Sequence, residues 1–135
     1  MLSIDFPLSA GMLEVVTATA AMEALWSVLP GADRRLIEGW AVEVVEHGDM
    51  PKIKGLSEVY GLTDTRARKI TLSTKALRVF SGASILALLG HEIAHCLIHE
   101  RQEQQGEREA DALASLWVGT GRLEILDHEI RKHST

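Results

Sequence analysis

Two histidines four residues apart bracket a glutamate in the run His91-Glu92-Ile93-Ala94-His95. On an α-helix such a pair lies about 40° apart around the axis and about one turn apart along it, so both rings can reach one ion. Glu92 projects about 60° from His95, beside that ion rather than onto it. This is the H-E-x-x-H arrangement, in which two imidazoles hold zinc and the carboxylate accepts a proton from the attacking water. A third protein ligand with one position left open makes such a zinc site catalytic. The surroundings are apolar on every side: Ile85, Leu86, Leu88, Leu89, Ile93, Cys96, Leu97 and Ile98. A helix of that composition is a buried one, and a carboxylate placed in it needs a partner.

The third ligand is expected from the next helix. Glu107-Arg108-Glu109-Ala110-Asp111 sets two acids four residues apart on one face. The apolar stripe of that helix is Ala110, Leu113, Ala114 and Trp117, at i, i+3, i+4 and i+7. Glu107 and Asp111 border the stripe, whereas Arg108 and Glu109 point away. Glu107 is read as the third zinc ligand, and Asp111 as the acceptor for the outer N–H of a ligand histidine, His91. Ala110 and Ala114 let the two helices approach closely. The geometry requires the first helix to end near His99; if it ran further, Asp111 would become the ligand. A metzincin would have glycine at 98 and histidine at 101, where this chain has Ile98 and Arg101. His99 is rotated about 80° from His91 and reads as a polar helix-end residue. His47, His128 and His133 read as surface residues, with His128 and the single tyrosine, Tyr60, the candidates for stabilising an oxyanion. Cys96 reads as a small core residue.

The elements that must position these groups form an α+β pattern. Residues 10–29 are rich in Ala, Leu and Met and stop at Pro30-Gly31, a helix with a clean end. The β-branched stretch 40–45 reads as a strand, with a helix as the alternative, and is broken by His47-Gly48-Asp49-Met50-Pro51. Residues 56–60 and 68–72 are further strand candidates, with Gly61-Leu62-Thr63-Asp64 as the turn between them. Short and long helices follow over 74–80 and from Ser81 or Ser84 to about 99; two more cover 107–118 and 123–132.

With 135 residues, 46% of them hydrophobic and 24% charged, the chain is expected to fold as one domain with a real core. A net charge of −5 argues against direct nucleic-acid binding. The single cysteine excludes an intrachain disulfide framework and suits a reducing compartment. The first residues lack the basic region of a signal peptide. Glu14 and Glu23 interrupt the apolar run 10–29, and an acid in mid-membrane would cost roughly 2.5–3.5 kcal/mol, so no membrane association is expected. The expected location is the cytoplasm. Nothing in the sequence fixes an oligomeric state.

The run His91-Glu92-Ile93-Ala94-His95-Cys96-Leu97-Ile98-His99 with Glu107-Arg108-Glu109-Ala110-Asp111 resembles the ImmA/IrrE-type metallopeptidases, small members of the gluzincin class. Their signature pairs H-E-x-x-H with a downstream E-x-E-A-[ND] segment, and a short strand like 69–72 precedes the active-site helix. The resemblance covers roughly residues 55–118. It implies a compact zincin-like domain over 1–135: a backing helix at 10–29, a small, mostly three-stranded sheet, the active-site helix and a glutamate helix. It also implies a zinc-dependent endopeptidase acting on a protein or peptide, often a helix-turn-helix repressor. Substrate in zincins adds to an exposed sheet edge, which is placed here at 56–60. The alternative function is a non-proteolytic, zinc-stabilised interaction domain that sequesters a regulatory protein with the same ligands but no use for Glu92 as a base.

Overall fold

An apolar helix with polar residues at only a few positions must lie where other elements can cover all its sides, and that requirement organises the molecule. The computed structural model describes residues 1–56 and 58–134. Its elements are β1 (Ser3–Asp5), α1 (Met12–Val28), α2 (Gly31–Leu36), β2 (Ala41–Val45), β3 (Gly61–Asp64), β4 (Lys69–Ser73), α3 (Thr74–Val79), α4 (Gly82–Glu100), α5 (Glu107–Val118) and α6 (Thr120–His133). The class is α+β, as expected, with six α-helices and one four-stranded mixed sheet among the described residues.

Helix α4 is central. Ile85, Leu89, Ile93 and Leu97 are almost fully buried, and α1, α5, α6 and β3 all pack against it. By length and composition alone α4 is apolar enough to cross a bilayer, but most of it is buried inside the fold. Its start is fixed by Ser81, whose Oγ accepts from Ser84 N at 3.3 Å, a side-chain N-cap. Glu129 of α6 accepts from Ser81 N and Ser84 Oγ, placing a carboxylate at the positive end of the helix. Helix α1 backs α4 through Ala18, Ala21, Met22 and Leu25, and its buried Glu14 meets Arg78 at 3.4 Å.

The sheet order is β1-β2-β4-β3, with β1–β2 and β2–β4 parallel and β3–β4 antiparallel. Val42 and Val44 face the core beside Ile70 and Leu72. Two expectations are corrected. The sheet has four strands rather than mostly three, because the three-residue β1 pairs with β2 and is too short to show a periodicity. The strand expected at 56–60 is absent from its described residues, and Ser57 lies outside them; the strand is Gly61–Asp64, the segment read as a turn. Its turn residues act differently. Asp64 ends the strand and its Oδ1 accepts from the backbone of Arg66 and Ala67 at 3.0 and 3.1 Å, anchoring the turn that follows it. The sheet edge beside the site is therefore β3.

The end of α4 settles how α5 returns. Gln102 has φ 58, Gln102 N donates to His99 O at 3.0 Å and Glu103 N to Ile98 O at 3.0 Å. That is a Schellman ending with glutamine in the left-handed position usually taken by glycine. Trp40 Nε1 donates to Glu100 at 3.1 Å and Arg101 pairs with Asp33 at 2.7 Å, tying this end to β2 and α2. The helix stops close to where the returning chain requires, and six residues separate its end from the start of α5.

Candidate active site

Small residues let α5 lie close against α4. Ala94, Ala110 and Ala114 are fully buried at the crossing. Gly90 belongs to the same contact: a Cβ there would stand 3.0 Å from Val118 Cγ1 and 3.9 Å from Ala114 Cβ. This approach carries the first turn of α5 to the outer face of the histidine pair.

His91, His95 and Glu107 each offer a ligand atom within 4.8 Å of the others. His91 Nε2 is 3.2 Å from His95 Nε2 and 2.7 Å from Glu107 Oε2, and His95 Nε2 is 3.4 Å from Glu107 Oε1. Donor atoms around a tetrahedral zinc with bonds of 2.0–2.1 Å stand about 3.3 Å apart, so two of these separations match and the third is short. The outer nitrogens are engaged. His91 Nδ1 donates to Asp111 Oδ1 at 2.7 Å, and His95 Nδ1 donates to Gln105 Oε1 at 2.8 Å. In the neutral tautomer with Nδ1 carrying the proton, the two Nε2 lone pairs face one another beside the Glu107 carboxylate. That arrangement calls for a positive charge between them, and its nitrogen and oxygen donors are ones zinc takes.

The local field has the same sign. Burial works against protonation of His91, but the charges of Glu92, Glu107 and Asp111 outweigh it and hold its pKa above the ordinary value. A place that favours a proton in this way also favours a metal cation, and the two compete. Glu92 is buried, which raises its carboxyl pKa, with His91, Thr63 and His95 opposing the shift. A raised carboxyl suits a group that must first accept and then return a proton. Its Oε1 lies 2.9 Å from Thr63 Oγ1 on β3.

These groups open on a cleft of about 660 Å³, walled by β3, by Leu88 of α4, by Leu123, Leu126 and Ile130 of α6, and by the segment through Val59 and Tyr60. Among the described residues, strand β3 pairs on one side only, with β4.

The structure thus brings together all five site residues expected from the sequence: His91, Glu92, His95, Glu107 and Asp111. Glu107 stands beside the Nε2 atoms of both histidines, whereas Asp111 meets only the outer Nδ1 of His91, consistent with the prompt end of α4. Several other expectations change. His128 is exposed, as its reading as a surface residue expected, but it is not part of the cleft wall, which removes it as a candidate for stabilising an oxyanion. Tyr60 does line it, but its hydroxyl donates to Glu58 at 2.6 Å and accepts from Ser134 at 3.2 Å. Hydrogen bonds from Tyr60, Lys75 and His47 in turn lower the pKa of the Glu58 carboxyl to about 2. His47 is half-buried rather than a surface residue, between Ser73 Oγ at 2.6 Å and Glu58 Oε1 at 3.0 Å, and His133 is half-buried against Phe80. His99 packs edge-on against Trp40. Burial pushes the Cys96 thiol up, which makes it an inert core group as expected.

Gln105 and Thr63 are the site residues the sequence reading missed. The signal for Gln105 was present in principle: a ligand His95 needs an acceptor for its outer N–H, and the polar loop before Glu107 is within reach. Replacing Asp111 by asparagine, which weakens the corresponding acceptor on His91, is expected to cost roughly 10–100-fold in zinc affinity. Competition against a fluorescent zinc chelator measures this, and unchanged affinity would remove Asp111 from the site.

No family model matches the chain, and no curated protein or solved structure matches it either.

Proposed function

We propose that this chain is a zinc-dependent endopeptidase of the ImmA/IrrE type, with a zincin-like fold, hydrolysing peptide bonds in a protein substrate. A helix-turn-helix repressor is the substrate class to which the resemblance points. The observation that carries this reading is the convergence of His91, His95 and Glu107, with Glu92 beside them, in a cleft bordered by an unpaired strand edge. Metal binding alone would need the three ligands; a buried carboxylate next to them, in the cleft, is a costly feature that hydrolysis uses.

His91, His95 and Glu107 would hold the ion, with Asp111 and Gln105 fixing the orientation of the two rings. Zinc bound there supplies a Lewis acid that polarises a carbonyl and brings the pKa of water towards about 7. The substrate backbone adds to β3 by β-augmentation, which aligns an extended peptide along the cleft. Glu92 accepts the proton of the attacking water and delivers it to the leaving nitrogen, so the carboxylate is regenerated at the end of the cycle.

The test is incubation of the purified protein with reduced, unfolded casein. Cleavage that stops on chelation and returns with zinc is the expected result. Absence of any zinc-dependent cleavage, there or on repressor candidates, counts against the peptidase reading and favours sequestration.

A further inference from the structure

The base itself has to be held. A glutamate side chain has three rotatable bonds, and a general base displaced by about 1 Å can lose about 100-fold in rate. Two residues of β3, on the same face because they are two apart, meet the Glu92 carboxylate. Thr63 Oγ1 lies 2.9 Å from Oε1 and 3.0 Å from the Glu92 main-chain carbonyl, so the single proton of this hydroxyl is placed to be shared between the side chain and the helix beneath it. Gly61 leaves room for the other oxygen: a Cβ there would stand 3.2 Å from Oε2 and 3.0 Å from Leu88 Cδ1. The strand that holds the base is also the sheet edge left open to the cleft.

We propose that Thr63 is a positioning residue for Glu92, and that β3 serves both the substrate backbone, through its open edge, and the base, through its inward face. This rests on the peptidase reading above. The hydrogen bonds of the Thr63 hydroxyl go to Glu92, through which it acts. Gly61 belongs to the same device, because any side chain there would compete with Oε2 for space.

The experiment uses Thr63→Val, which keeps the branched shape suited to a strand and removes the hydroxyl, and Thr63→Ser, which keeps the hydroxyl. The substrate is the most rapidly cleaved member of an internally quenched fluorescent peptide library. The expected result for Thr63→Val is a kcat lower by roughly 10–100-fold, with KM and zinc content unchanged, and recovery of most of the rate in Thr63→Ser. A kcat for Thr63→Val equal to that of the wild type overturns the proposal. So does a loss that serine does not recover, or one accompanied by lost zinc or a raised KM, since each assigns Thr63 a structural or substrate-binding part. A wild-type protein that cleaves no library member in a Glu92-dependent manner overturns the peptidase reading and this inference with it; the other outcomes overturn this inference alone.

Discussion

Glu92→Gln protein is expected to bind zinc as the wild type does and to cleave roughly 10²–10⁴-fold more slowly, the usual contribution of a positioned acid–base group. Glutamine preserves the shape of the side chain and keeps an oxygen that can accept from Thr63, so the geometry around the metal ligands is retained. What disappears is the capacity to take a proton from water and pass it on. The thermal midpoint should be equal or higher, because a buried carboxylate that strains against desolvation has been replaced by a neutral amide. Parallel zinc analysis, thermal melts and peptide cleavage give all three readouts. Wild-type-like proteolysis by this variant would remove Glu92 from the mechanism. Capture of a regulator that survives the substitution unchanged, with no cleavage by the wild type, would instead support the sequestering function.

Removing Glu107 has the second large effect, and its exposure makes the result easy to interpret. The Glu107 side chain is 82% exposed, whereas those of His91 and His95 are 14% and 15% exposed. Glu107→Ala should therefore leave the metal-free fold almost as stable as before while taking away one of three ligands. In the wild type, free zinc at about 100 times its dissociation constant stabilises the folded state by about 2.7 kcal/mol, which is a rise of roughly 10 °C in a domain of this size. In Glu107→Ala that zinc-dependent rise should largely vanish, and activity with it. Differential scanning calorimetry with and without zinc measures both. A variant that keeps the full zinc-linked rise would show that Glu107 is not a ligand.

The parts of this arrangement readable from sequence are those set by local periodicity. His91, Glu92 and His95 share one helix, so their spacing determined their relative directions. Glu107 and Asp111 could be placed because they border the apolar stripe of α5, whose Ala110 and Ala114 are fully buried against α4. Contacts between segments distant in sequence were not readable in this way. Thr63 reaches Glu92 across 29 positions, and nothing near Thr63 in the chain announces it. The same holds for His47, taken for a surface residue until its partners Ser73 and Glu58 come into place.

The misreading of 61–64 has a related cause. Gly61 and Asp64 are turn-forming residues by local preference, but one is required by the closeness of Leu88 and Glu92 and the other anchors the next turn from the strand's last position. Tertiary packing decided both. The cost of that error was a shift of the open sheet edge by a few residues, from 56–60 to β3, which moved it directly above the base.

X-ray absorption at the zinc edge of reconstituted protein tests the proposed metal centre most directly. The expected result is about one zinc per chain, with two imidazole nitrogens and carboxylate oxygen at roughly 2.0–2.2 Å. Substoichiometric zinc after reconstitution, or a shell containing sulfur at about 2.3 Å or lacking the paired imidazoles, would contradict a centre built from His91, His95 and Glu107.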